Sequence, residues 1–272
     1  MDDADREDAA ADRMSRMVRS QVRDRVLEKA GLRRGSHLVD LGCGNGFLSL
    51  QAARMLGPEG RVTAVDSSPG ALQALRERAG ELGLENILTL KAEITRLPLP
   101  DGDADAVVAR SVLSYVPDRM AVLAEARRVL KPGGSLSLFE PVLAEEELTM
   151  DWGEDFLLWR KLRGILEAHH PAFGFDRLRL LDEVGAAGFE AVDSFVWHSD
   201  VTRTFADAEE AMEDFRNGLP GEFSLLSCWL AHGVVEEEIG RVASRLAAES
   251  RKRSYRSILP CLYVWAGNPE NG

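Results

Sequence analysis

The residues with the sharpest chemical potential form one short run, Asp40-Leu41-Gly42-Cys43-Gly44-Asn45-Gly46. Glycines at alternate positions let a backbone turn tightly and approach a bound molecule closely, and a helix starting just beyond would offer free N–H groups. The spacing is G-x-G-x-G, with Phe47 standing where the dinucleotide fingerprint G-x-G-x-x-G needs its last glycine. Asp66 follows about 20 residues on, at a distance where an acid can accept hydrogen bonds from ribose hydroxyls. Its plainer alternative is to cap a helix beginning near Pro69.

A second set of side chains could move or hold a proton. Tyr115 offers a phenol in the loop after the fourth strand, and Glu140 a carboxyl at the carboxyl end of the fifth. Glu140 either faces the crevice at the strand ends or makes a loop salt bridge. His169 and His170, beside Pro171, either reach a substrate or end a helix. His37 opens a strand on the side away from the glycine run and reads as structural, while His198 and His232 are weaker candidates. Asp101, Asp103 and Asp105 fit a turn entering a strand better than a metal cluster, because Asp-Gly favours turns. The cysteines, Cys43, Cys228 and Cys261, are odd in number and contain no CxxC pair, which argues against both a disulfide framework and a zinc cage.

These residues need elements to place them, and hydrophobic periodicity supplies the order. Arg13 to Ala30 is an amphipathic helix closed by Gly31; its Met14 and Met17 pack on the core or help to close a site. His37–Gly42 is a buried strand, Leu48–Leu56 a helix, Arg61–Asp66 a strand and Pro69–Leu82 a helix. ILTLKA and ADAVVA are the third and fourth strands. A helix over Asp118–Leu130 stops at Lys131-Pro132-Gly133-Gly134, and SLSLFE is the fifth strand. Alternation of this kind predicts right-handed crossovers and a doubly wound, mostly parallel sheet.

Beyond Pro141 the rhythm changes. Glu145–His169 reads as a helix carrying the stripe Trp152, Phe156 and Trp159, which packs on the core or walls a substrate. Asp176–Ala187 is a helix, FEAVDSFVW a strand, Ala206–Arg253 mostly helical, and ILPCLYVWAG a closing strand. The predicted organisation is an N-terminal helical segment (1–35), a core (36–142), a helical cap insert (143–175), a core continuation (176–204), a second cap insert (205–254) and a final strand with tail (255–272). Seven strands and a helical cap above them are expected.

Four blocks in order, VDLGCGNG, VTAVDSSPGAL, AEITRLPLPDGDADAVVA and ARRVLKPGGSLSLFEP, together resemble the class I S-adenosylmethionine-dependent methyltransferases of small molecules. The resemblance covers about Leu38 to Pro141 and implies a Rossmann-like α/β fold with S-adenosyl-L-methionine as cofactor. It places Asp40 and the loop Gly42, Cys43, Gly44 and Gly46 along the methionine portion, with Asp66 on both ribose hydroxyls. Glu93 would take the adenine amino group and the Ile94 N–H a ring nitrogen. Arg110 and Ser111 would border the methionine amine and the transferable methyl. Glu93 stands where the family usually has Asp, which lengthens the reach; Ser67 replaces a frequent apolar neighbour of the adenine. The fourth strand ends Ala109-Arg110 without the acid that holds Mg²⁺ in catechol-type members, so no metal is expected. RSVLSY lacks the Asn/Asp-Pro-Pro-aromatic motif of members that methylate amino groups in nucleic acids.

Composition narrows the partners. The chain has 272 residues, 45 acids against 33 bases and a net charge of −12, which disfavours the counterion displacement that nucleic-acid binding requires. No apolar run is long enough to span a membrane. The acidic start lacks the basic end and apolar stretch of a secretory signal, which predicts a cytoplasmic protein, as monomer or homodimer. Arginine supplies 28 of the 33 bases, pointing to a GC-rich bacterial genome and to specialised metabolism. The LPLPDGDAD block is similar to quinone- and polyketide-modifying methyltransferases, and the aromatic insert suits a modest apolar or amphipathic acceptor. The alternative is a protein of this fold that binds the cofactor for a non-methylating reaction, or only binds it.

Overall fold

The computed structural model describes residues 20–200, 204–217, 223–252 and 255–270. In chain order the elements are α1 (20–29), β1 (His37–Leu41), α2 (Ser49–Leu56), β2 (Arg61–Asp66), α3 (Pro69–Glu81), β3 (Ile87–Lys91), β4 (Ala104–Arg110), α4 (Arg119–Val129), β5 (Leu130–Pro141), β6 (Glu147–Thr149), α5 (Phe156–His169), α6 (Arg177–Ala186), β7 (Glu190–Asp200), α7 (Ala208–Asn217), α8 (Leu225–Ala231), α9 (Glu236–Arg251) and β8 (Arg256–Gly267). The start of the helix expected from Arg13, with Met14 and Met17, lies outside the described residues. Two compact units emerge. The first runs to Glu140 and adds Arg177–Val196 and the segment from Leu262; the second is Pro141–Asp176 with Trp197–Cys261.

In the first unit, β1 pairs in parallel with β2 and β4, β2 with β3, and β4 with β5. The order β3-β2-β1-β4-β5 reverses direction between β1 and β4. At such a switch point the crossovers leave to opposite faces, and a crevice opens beyond the carboxyl ends of the strands. HLVDL is buried along its whole length, as a strand covered on both faces must be. Ala52, Ala53 and Leu56 of α2 are buried, and small alanines allow the helix a close approach. Each fully buried Leu or Val contributes about 2 kcal/mol relative to exposure. Helix α3 is capped by Ser68, whose hydroxyl accepts from the Ala71 N–H at 3.3 Å, with Pro69 pre-set at the first turn. Asp66 is therefore not needed as the cap.

At the far end of β1, His37 is tied into a buried network. Its Nε2 lies 2.8 Å from the Thr63 hydroxyl, its Nδ1 3.0 Å from the Asp103 carbonyl, and its backbone N–H donates to Asp105 at 2.7 Å. Burial lowers its pKa from 6.5, and Arg61 pushes the same way against Asp103 and Asp105. The unfolded chain thus takes up a proton that the folded site resists. This contribution to stability is complete above the unfolded value and is lost as pH falls below it. His37→Ala should cost about 2 kcal/mol at neutral pH, because Thr63 loses its partner. It should also flatten the fall in stability between neutral and mildly acidic pH, read from urea melts; an unchanged slope would contradict the assignment.

Among the described residues the sheet has eight strands, one more than expected. The extra strand is β6, inside the stretch read as a helix from Glu145; it pairs antiparallel with β8, Glu147 opposite Ile258. Helix α5 starts only at Phe156, because Asp151 accepts the Gly153 N–H at 2.9 Å and Gly153 turns with φ 50°. Strand β5 begins early, at Leu130: the Gly133 N–H donates to the Asn268 carbonyl and the Asn268 N–H to Gly134.

The second unit has its own core of Trp152, Leu162, Leu166, Trp229, Ile239, Val242 and their neighbours. Trp229 is fully buried, and its indole N–H donates to the Leu162 carbonyl at 2.9 Å, which satisfies its one polar atom. The aromatic stripe divides. Trp152 and Trp159 stack at 4.7 Å, whereas Phe156 is exposed. Among the described residues no helix is long and apolar enough to cross a membrane.

Candidate functional site

The glycine loop leaves β1 at the switch point. The Cys43 N–H donates to the Val65 carbonyl and the Gly46 N–H to the Cys43 carbonyl, both at 2.9 Å, which fastens the turn to β2. Gly46 has φ 89°, and a Cβ there would overlap Leu75, so only glycine fits. Gly44 has φ 53°, but a Cβ there would meet nothing within 4 Å. Its backbone therefore faces open space, where a ligand can approach. Gly42 lies against the Val112 side chain. Cys43 is buried and burial pushes its thiol pKa up, so it packs rather than reacts.

Asp66, at the end of β2, accepts from the Gly44 N–H at 2.9 Å and the Ser68 N–H at 2.8 Å, one on each oxygen. Each oxygen keeps lone-pair capacity for a further donor. Asp40, buried in β1, accepts from the Ser49 hydroxyl at 2.5 Å. Burial pushes its carboxyl up to about 7; Ser49 and Arg110 pull it down and Asp66 pushes it up. Asp40, Asp66 and Arg110 therefore share one electrostatic neighbourhood. Ser67 and Glu93 are exposed and Ile94 half-buried, these last two just past β3.

Past β4, the Arg110 guanidinium lies 4.6 Å from the centroid of the Phe47 ring. Ser111 is left-handed with φ 56°, and its N–H donates to the Phe139 carbonyl at 2.8 Å. A non-glycine residue held there stores about 1–3 kcal/mol. Ser111→Gly should raise stability by about 1 kcal/mol, after the entropy that glycine adds to the unfolded chain. A higher thermal midpoint is the expected reading, and a lower one would mean that the hydroxyl holds the turn.

Glu140 has no exposed surface. Its Oε1 accepts from the Val112 and Leu113 N–H groups at 2.9 Å each, and its Oε2 from Ser114 at 3.3 Å. It thus gathers the backbone N–H groups at the start of the short turn Leu113–Tyr115, in place of the loop salt bridge considered from the sequence. Burial raises its pKa against these hydrogen bonds. The Tyr115 phenol is raised by burial and by the nearby Glu140 charge, so it stays protonated and suits donation better than proton removal.

His169 and His170 belong to the second unit. His169 is exposed and stacks on His232 with ring centroids 3.8 Å apart. His170 is buried, its Nε2 lies 3.0 Å from the Phe223 carbonyl, and burial lowers its pKa. The same unit holds a cavity of about 90 Å³ with Trp159, Phe173, Phe215, Trp229 and Tyr255 in its walls, joined by Glu146 and Asp214. A more open groove of about 780 Å³ at Arg54, Arg61 and Asn86 contains none of the loop's residues.

The group implied by the sequence resemblance fits the first unit's residues. Gly44 opens to free space, and Asp66 presents two carboxylate oxygens beside it, as a hydroxyl-bearing ligand would need. Among the described residues no cluster of three or more His, Cys, Asp or Glu could hold a metal. Neither Ser49, which anchors Asp40, nor Val112, which packs on Gly42, stands out as a site residue in the sequence. Ser49 had a faint signal, a hydroxyl in the first turn after a glycine loop. Val112 had none.

A family model described as a methyltransferase domain matches residues 32–209. The demethylmenaquinone methyltransferase of Listeria welshimeri is 35% identical over 133 residues, 47% of this chain and 56% of its own. That of Staphylococcus aureus is 34% identical over 118 residues, 43% and 48% respectively. The chain spans about half the length of the curated relatives it matches. Among solved structures, the YcgJ protein of Bacillus subtilis superposes with a TM-score of 0.60 at 16% identity, covering 93% of this chain and all of that one. A SAM-dependent methyltransferase of Aquifex aeolicus gives 0.52 at 19%, covering 90% and 88%, and the cyclase SpnF 0.53 at 22%, covering 92% and 81%. These structural likenesses concern the fold alone.

Proposed function

Since the chain belongs to the methyltransferase-domain family, we propose that it transfers a methyl group from S-adenosylmethionine to a small apolar or amphipathic acceptor in bacterial specialised metabolism. One observation carries the reading: Asp66 stands at the switch point with one oxygen on the open glycine of the loop and the other on the next helix's start. When bound, the cofactor supplies a methyl carbon activated by a sulfonium.

The chain's own part is to hold, orient and exclude water. Asp66 would accept from the ribose hydroxyls and Glu93 from the adenine amino group, with the Ile94 N–H on a ring nitrogen. Asp40, poised near neutrality, would answer the positive charge of the amino-acid end. Tyr115 would donate to an acceptor oxygen; its raised pKa disfavours it as base. The relatives are named for methylation of demethylmenaquinone, which supports an apolar acceptor that carries a ring.

Calorimetry with S-adenosylhomocysteine, followed by incubation of labelled cofactor with ring-bearing hydroxylated acceptors, tests the proposal. Binding and acceptor-dependent release of S-adenosylhomocysteine are expected. Binding without turnover on any acceptor would overturn the transfer, and no binding would overturn the site.

A further inference from the structure

Arg128, in the last turn of α4, ties one loop of the first unit to that helix. It forms a two-pronged pair with Glu125, Nε to Oε1 at 2.7 Å and Nη2 to Oε2 at 2.8 Å. Its remaining N–H groups donate to the Leu97 carbonyl at 2.9 Å, the Leu99 carbonyl at 2.7 Å and the Asp101 carboxylate at 2.6 Å. Glu125 adds a contact of its own, accepting from the Leu97 N–H at 2.6 Å. All five donors of a guanidinium are thereby used, and a lysine, with three donors and no fork, could not replace them. Both side chains are largely covered, so the pair is stronger than an open surface bridge. The Arg128 guanidinium holds the Glu125 carboxyl below its ordinary range, which keeps the pair charged at neutral pH.

The clamped loop starts beside Asp66. Strand β3 ends at Lys91, opposite Asp66 in the parallel register, and the Ala92 N–H donates to the Asp66 carbonyl at 3.3 Å. Leu97 is buried, while Glu93, Thr95 and Arg96 are exposed. Residues 93–96 therefore bridge two fixed points, Asp66 and α4, with the Arg96 N–H turned back onto the Glu93 carbonyl at 3.1 Å. We propose that Arg128 and Glu125 are positioning residues that fix this bridge at the crevice, so that the site selects an amino group over an oxo group on the ligand's base. The inference rests on the reading of Glu93 and Ile94 as contacts of that base, and gives a task to two α4 residues to which the sequence resemblance assigns none. A carboxylate at Glu93 accepts from an amino group and repels an oxo oxygen. The Ile94 N–H needs a bare ring nitrogen, and a 6-oxo base carries a proton there, so two donors would meet. Both discriminations depend on placement within about 0.5 Å, which a short exposed bridge holds only when its far end is fixed.

The test compares two ligands by calorimetry: S-adenosylhomocysteine, and S-inosylhomocysteine, which carries an oxo group in place of the amino group. Wild type should prefer the adenosyl ligand by at least about tenfold. Arg128→Lys, which keeps the charge and loses the fork, should weaken the adenosyl ligand about tenfold and change the inosyl ligand by less than about twofold. Glu125→Gln keeps an acceptor for the Leu97 N–H; it should lose preference in the same direction, by about threefold, with a thermal midpoint nearer wild type. In a Glu93→Ala background, Arg128→Lys should weaken the adenosyl ligand by less than about twofold, because both residues act through one contact. Variants that melt lower yet keep the wild-type preference, or that weaken both ligands equally, overturn the proposal. If wild type binds both ligands alike, the clamp's role fails while the reading of Asp66 stands. If wild type binds neither ligand, both fail together.

Discussion

Replacing Asp66 by alanine should weaken S-adenosylhomocysteine binding by at least about a hundredfold, through loss of two charge-assisted hydrogen bonds worth about 1.5–3 kcal/mol each. The structure adds a reason to expect more than the missing contacts. Asp66 also holds the Gly44 and Ser68 N–H groups, so its removal frees the open glycine of the loop and loosens the entry to α3. Both N–H groups lie near solvent and can turn to water, and the Ser68 cap on Ala71 survives. The fold should therefore tolerate the change, with a loss of about 1 kcal/mol. Asp66→Asn, which keeps one acceptor oxygen, should fall between. Calorimetry gives the affinities and thermal melts the stabilities. Undiminished affinity in Asp66→Ala, with the fold intact, would remove the basis for placing a nucleoside here.

What could be read from the sequence was what is local in the chain. The glycine spacing and the acid after the second strand are short-range patterns with a direct physical meaning, and the alternation of apolar runs gave the order of the parallel strands. The misses are of another kind. Strand β6 has only three residues, too few to display a period, and it exists because β8, far away in sequence, offers it hydrogen bonds. Glu140 reads as a carboxyl at a strand end, but its partners include three backbone N–H groups, which carry no residue identity, with the Ser114 side chain beside them. His169 and His170 are adjacent in sequence, yet one is exposed on a neighbouring ring and the other is buried against a carbonyl. The chain's direction at that point, not its composition, makes the difference.

Glu140→Ala should cost about 3–4 kcal/mol of stability, since each buried N–H left without an acceptor costs about 1–3 kcal/mol and three are affected. The loss should not stop at stability. Val112, whose N–H is one of the three, lies against Gly42, so the carboxyl holds the turn that in turn backs the glycine loop. Glu140 is thus a positioning residue, and its variant should bind S-adenosylhomocysteine about tenfold more weakly even when measured well below its own melting temperature. Glu140→Gln separates shape from charge. The folded pKa of Glu140 is raised above its ordinary value of 4.5, chiefly by burial. Its contribution is therefore fully present below that value and is lost as pH rises through the folded pKa. Glutamine carries no such dependence, so its stability relative to wild type should improve as pH rises through the folded pKa, with affinity largely retained. If alanine lowers stability but leaves the affinity for S-adenosylhomocysteine unchanged, the link from the carboxyl through Val112 to the loop is wrong. If glutamine shows no relative gain with pH, the buried carboxylate is stabilised by its hydrogen-bond donors more strongly than its burial penalises it.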